Sequence, residues 1–71
     1  MKQIIECVPN YSEGRDRSVI DRIVEAIASV EGVKVLNVDP GQATNRTVVT
    51  FVGEPDPVVE AAFRGSQKAW N

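Results

Sequence analysis

The chain contains no histidine, and Cys7 is the single cysteine among its 71 residues. Without histidine, the side chain that most readily moves protons near neutral pH is missing, which removes the usual general base from a catalytic reading. One cysteine excludes an intrachain disulfide framework and a thiolate zinc cage built from one chain, so no metal site is expected. No apolar run approaches the roughly 18 residues needed to cross a bilayer, and no signal-peptide pattern is present. The expectation is a cytoplasmic protein with no membrane partner. Basic residues are also few, eight Lys and Arg against ten Asp and Glu for a net charge of −2. Nucleic acid, which wants a dense basic surface, is not an expected partner.

What is present suits one small globular domain, with 42% hydrophobic and 25% charged residues. At this length about 60% of the unfolded surface is buried on folding, and stability is correspondingly slim. Residues 2–8, KQIIECV, carry Ile4, Ile5, Cys7 and Val8 and read as a first strand. Pro9 lacks a backbone donor and is expected to stop the ladder, followed by a polar connection, YSEGRD, with Gly14 as its flexible point. Asp16 or Ser18 can cap a helix whose apolar positions Val19, Ile20, Ile23, Val24, Ile27 and Val30 recur at helical spacing. Arg17, Asp21, Arg22, Glu25 and Glu31 then face water, and Gly32 is placed to take the left-handed conformation after the helix.

Two further strands flank a polar loop. Val33, Val35, Leu36 and Val38 precede it, and the run from Thr47 to Val52 follows. Pro40 and Gly41 mark the expected turn, which places Asp39, Asn45 and Arg46 together at one end of the sheet. Asp56 followed by Pro57 signals a second helix, with Val58, Val59, Ala62, Phe63, Ser66, Ala69 and Trp70 on one stripe. Gly65 within it costs roughly 1 kcal/mol relative to alanine.

The order β-α-β-β-α gives an α+β fold. It is a ferredoxin-like split β-α-β unit whose last strand is missing, with a mixed, largely antiparallel sheet and both helices on one face. The third strand is expected between the first two, leaving residues 2–8 as an open edge that invites a second copy or a second subdomain.

Arg46 presents a planar fork that matches a carboxylate, and its bland alternative is an ion pair with Asp39. Asp39 can accept a proton from an attacking nitrogen, although Asp before Pro-Gly is also an ordinary turn former. Asn10 and Asn45 can bond a flat heterocycle or a carboxylate, or simply make turns. Cys7 reads as a small buried hydrophobe, and Phe63 and Trp70 as packing residues rather than a stacking platform for a pterin.

Two stretches, ECVPNYSEGRD from Glu6 and VDPGQATNRTVVTFVGEP from Val38, resemble the N-terminal subdomain of glutamate formimidoyltransferase, also called formiminotransferase. The likeness runs in order over residues 4 to about 63. It implies transfer of a formimino group from N-formimino-L-glutamate to tetrahydrofolate, in one-carbon metabolism and histidine catabolism. Tetrahydrofolate would be a co-substrate rather than a tightly bound cofactor. The family has two α/β subdomains with folate in the cleft between them, and its members commonly dimerise. The matching positions are Asn10, Asn45 and Arg46 as substrate-binding residues, with Asp39 and Arg46 in the chemistry. The family's proposed catalytic histidine lies beyond the second helix, in a segment this sequence does not reach. Residues 1–71 therefore read as one subdomain, truncated or short, and inactive alone. The alternative is a small folate- or amino-acid-binding or oligomerisation module that dimerises through its open edge.

Overall fold

The computed structural model describes residues 3–70, the side chain of Trp70 excepted, so Lys2 of the expected first strand lies outside the described residues. The elements are β1 (Ile5–Cys7), β2 (Asn10–Tyr11), α1 (Arg17–Ala28), β3 (Val33–Gly41), β4 (Arg46–Gly53) and α2 (Pro55–Trp70). All strand pairs are antiparallel and all involve β4. β3 runs along one side of it, while β1 and then β2 share the other, so β1 and β3 are parallel to each other across the central strand.

Alternation along β4 decides what goes inside. Thr47, Val49, Phe51 and Gly53 are buried, and the residues between them are half-covered. Both helices lie against that buried face. Ile23 and Ile27 of α1, Val30 just beyond it, and Val58 and Ala61 of α2 form one cluster with Tyr11, Val49 and Phe51. Each fully buried Ile or Phe contributes roughly 1.5–3 kcal/mol of transfer free energy, which makes this cluster the main source of stability.

α1 follows the expectation closely. Asp16 is its N-cap, accepting from the Ser18 amide at 3.0 Å and the Ser18 hydroxyl at 2.7 Å. Gly32 has φ +89° and turns the chain into β3. Among the described residues no helix is long and apolar enough to cross a membrane.

Five expectations are corrected. β1 ends at Cys7, but Pro9 does not stop the ladder, because its carbonyl accepts from Val49 N at 3.2 Å and β2 resumes pairing with β4 in the same register. Tyr11 accordingly belongs to the core, 5% exposed, not to a polar connection. The hairpin turn falls at residues 42–45 rather than at Pro40-Gly41, which are paired with Thr47 and Arg46 inside β3. An edge strand tolerates Pro40, since its missing donor faces away from the ladder.

α2 begins at Pro55, with Val58 N donating to Glu54 O at 3.1 Å, two residues before the expected start. Its inward stripe is also rotated. Val58, Ala61 and Gly65 are buried, whereas Val59 and Phe63 are 65% and 59% exposed. Gly65 explains the shift, because a Cβ there would lie 2.5 Å from the Tyr11 hydroxyl and about 3 Å from two carbons of Ile27. Small residues let α1 and Tyr11 approach the backbone of α2, and that proximity outweighs the greater hydrophobicity of Phe63.

Candidate functional site

Both helices lie on one face of the sheet, and among the described residues no helix covers the other. Residues paired across an antiparallel ladder share a face, so the register assigns each side chain. Val48 has Asn10 on one side and Asp39 on the other. Arg46, two residues before Val48, lies on the same face beside Gly41. Asp39 and Arg46 are thus diagonal neighbours at about 7–8 Å, within reach of a long side chain. Asn10, Asp39 and Arg46 come together around Val48, on three adjacent strands.

A β-bulge makes this possible. Val33 and Val35 pair with Gly53 and Phe51 on the helix side, and the register then slips between Val35 and Asn37. Beyond the slip, Val38 takes the helix side opposite Val49, while Asn37 and Asp39 turn outward. An unbroken strand would have aimed Asp39 at Thr47 and the core, since a one-residue shift exchanges the faces. The apolar positions 33, 35, 36 and 38 change phase at Leu36, which is the sequence signal for the bulge.

The ion-pair alternative for Arg46 is not what the structure shows. Among the described residues the ion pairs are Arg17–Asp21 at 3.1 Å and Glu60–Arg64 at 3.0 Å, both along helices. Arg46 and Asp39 are exposed.

Asn45 is placed differently from the other three. Its φ of +54° puts it in the left-handed region at the end of the hairpin turn, and its Oδ1 accepts from the Gly14 amide at 3.1 Å. Sequence reasoning missed the loop on the far side of that bond. Gly14 is buried, and a Cβ on it would come within 2.6 Å of the Arg46 amide nitrogen, the Arg46 carbonyl and the Gly41 carbonyl. Thr47 Oγ1 donates to the Glu13 carbonyl, and Arg15 Nε donates to the Gln42 carbonyl at 3.0 Å. No local pattern pairs residues some thirty positions apart, so the loop reads as flexible in isolation.

A cavity of about 430 Å³ lies at the other edge, lined by Pro9, Asn10, Tyr11, Ser12, Ser66 and Ala69. It adjoins Asn10 but contains neither Asp39 nor Arg46, so the candidate site is the open sheet face. Burial pushes the Tyr11 phenol up to about 12, helped by nearby Cys7 and opposed by Ser66.

The sequence from residue 4 to residue 71 matches the family model of the formiminotransferase domain, N-terminal subdomain. The chain belongs to this family. Among curated relatives, the formimidoyltransferase-cyclodeaminase of Dictyostelium discoideum is 51% identical over 70 residues, covering 99% of this chain and 13% of that protein. The glutamate formimidoyltransferase of Thermoplasma acidophilum is 52% identical over 66 residues, covering 93% of this chain and 22% of that protein. The Streptococcus pyogenes glutamate formimidoyltransferase is 42% identical over 64 residues. This formiminotransferase subdomain thus spans between an eighth and a quarter of the length of the relatives it matches. The open face lies within the shared region.

Proposed function

We propose that the chain forms one wall of a formimidoyltransferase site, serving formimino transfer from N-formimino-L-glutamate to tetrahydrofolate. The observation that carries this reading is the convergence of Asn10, Asp39 and Arg46 around Val48 on the sheet face that the helices leave open. Arg46 pairs with a carboxylate of the glutamyl donor or the folate tail, where its planar fork gives two parallel hydrogen bonds. Asp39 accepts the proton released as the folate nitrogen bonds to the formimino carbon and returns it to the glutamate nitrogen as the bond from that carbon to glutamate breaks, so that glutamate leaves as the free amine, and Asn10 bonds the flat ring or a carboxylate. The β-α-β-β-α order belongs to the same proposal as a ferredoxin-like unit whose remaining edge is covered by further chain or by a second copy. Alone, the 71 residues bind but do not turn over, having no histidine.

Calorimetric titration of the purified chain with 5-formyltetrahydrofolate tests this. Saturable binding is expected, with Arg46→Ala weakening it by about tenfold or more, as for a lost charged hydrogen bond of roughly 1.5–3 kcal/mol. Binding indifferent to Arg46→Ala and Asp39→Asn would remove the open face from the reaction. No formimino transfer is expected from the chain by itself, and turnover without a partner would contradict the role given to the missing histidine.

A second reading has its own observation. Ile4 and Val8, flanking β1, are 64% and 49% exposed, and among the described residues no strand pairs with the outer edge of β1, the arrangement of a module that self-associates by strand addition. Sedimentation at two concentrations distinguishes it, because a concentration-independent monomer excludes a dimerising module.

A further inference from the structure

We infer that Asn45 is a positioning residue, closing a clasp with Gly14 that holds Arg46 on the open face rather than touching a ligand itself. The consequence for ligand binding rests on the reading above, whereas the clasp is read from the fold alone.

A left-handed backbone at the end of the turn suits glycine best, and asparagine is the side chain that tolerates it next. The presence of a side chain there is explained by what it does. Asn45 Oδ1 receives the Gly14 N–H at 3.1 Å, and Gly14 is buried, so without that acceptor a backbone donor is left unpaired away from water. The bond draws the Gly14 Cα against the backbone of Arg46, close enough that a Cβ would collide with both its amide nitrogen and its carbonyl. On either side, Thr47 Oγ1 bonds to the Glu13 carbonyl and Arg15 Nε to the Gln42 carbonyl. The loop that follows Asn10 and the hairpin that carries Asp39 and Arg46 therefore move as one body. A guanidinium selects a carboxylate by its geometry, and that selection is lost when the backbone beneath it drifts.

The two substitutions that separate the roles of Asn45 are Asn45→Gly, which keeps the left-handed turn and removes the acceptor, and Asn45→Asp, which keeps both. Amide exchange and 15N chemical shifts in the 71-residue chain report on the clasp directly. Asn45→Gly is expected to abolish protection of the Gly14 amide and to shift the Arg46 amide and Nε resonances, while Asn45→Asp leaves them near wild type. Unchanged Gly14 exchange and Arg46 shifts in Asn45→Gly would overturn the inference. With 5-formyltetrahydrofolate as the probe, Asn45→Gly should bind about tenfold more weakly and Asn45→Asp should restore affinity. Equal affinity in wild type and Asn45→Gly would also overturn it. A wild-type chain that does not bind the probe defeats the functional reading, and the resonance comparison still decides the clasp.

Discussion

Replacing Tyr11 by phenylalanine should make this protein more stable. The ring sits in the core with its hydroxyl enclosed, and among the described residues that hydroxyl has no hydrogen-bond partner. Ser66 is close enough to influence it, but the two do not meet in hydrogen-bonding geometry, and the Ser66 proton goes to the Ala62 carbonyl at 3.0 Å. An unpaired buried hydroxyl costs about 1–3 kcal/mol by mutational measurement, and Phe keeps the ring contacts while removing that cost. A gain near the lower end, about 1 kcal/mol, corresponds to a rise of about 4–8 °C in the midpoint of a domain this size. A second signature is alkaline. The phenol titrates near 10.0 when unfolded and at about 12 when folded, so both states hold the proton below pH 10. Between those values only the unfolded state releases it, and stability falls as pH rises, by up to about 2–3 kcal/mol. The variant lacks this loss. Thermal and guanidinium melts followed by circular dichroism, at neutral pH and at intervals above pH 10, measure both effects. A lower midpoint for Tyr11→Phe at neutral pH would refute the argument, because it would mean that the hydroxyl makes a bond worth keeping.

Gly65→Ala should destabilise despite the better helix propensity of alanine, because overpacking against Tyr11 and Ile27 costs typically 1–3 kcal/mol against a gain of about 1. Combining it with Tyr11→Phe should recover part of the loss, and strict additivity in a double-mutant cycle would contradict the contact. Asp16→Asn keeps the N-cap and should leave neutral stability unchanged, but Ser18 bonding lowers the Asp16 pKa below 3.8, so the wild-type contribution is present above that pH and lost as pH falls through the lowered value. Acid titrations of the guanidinium midpoint should show a flatter limb for the variant, and superimposable limbs would exclude the effect. Deleting Leu36 should unfold the chain, whereas Leu36→Thr, at a position 50% exposed, should cost no more than about 1 kcal/mol in a melt. A deletion variant with wild-type midpoint would show that the bulge is dispensable.

Much of the fold was legible because much of it is periodic. Ile20, Ile23 and Ile27 recur at helical spacing and all are buried, and the charged residues between them are all exposed. The strands around the hairpin announce themselves through β-branched residues. The misreadings share a cause, which is weighing a residue by its own chemistry where its neighbours decide. Gly14 reads as flexible alone but is fixed by residues more than thirty positions away. Phe63 reads as core, yet the helix turns Gly65 inward because Tyr11 needs the space. Pro9 removes one donor but leaves its carbonyl to carry the ladder forward.

The sheet itself explains why core and site can be altered separately. Along β4 the odd positions from Thr47 to Gly53 hold the helices, while the even positions from Arg46 to Val52 form the opposite face. β3 must obey both demands, with valines inward at 33 and 35 and an acid outward at 39, and strict alternation cannot deliver that because 35 and 39 are both odd. One extra residue resolves the conflict. Inserting Leu36 shifts the phase, so that Val38 rejoins the core and Asp39 joins Arg46 outside. Without it, either Asp39 or Lys34 would turn toward the helices, and an unpaired buried charge costs several kcal/mol against a total stability of about 4–11 kcal/mol for a chain of this length. The bulge is therefore a condition of both the fold and the site.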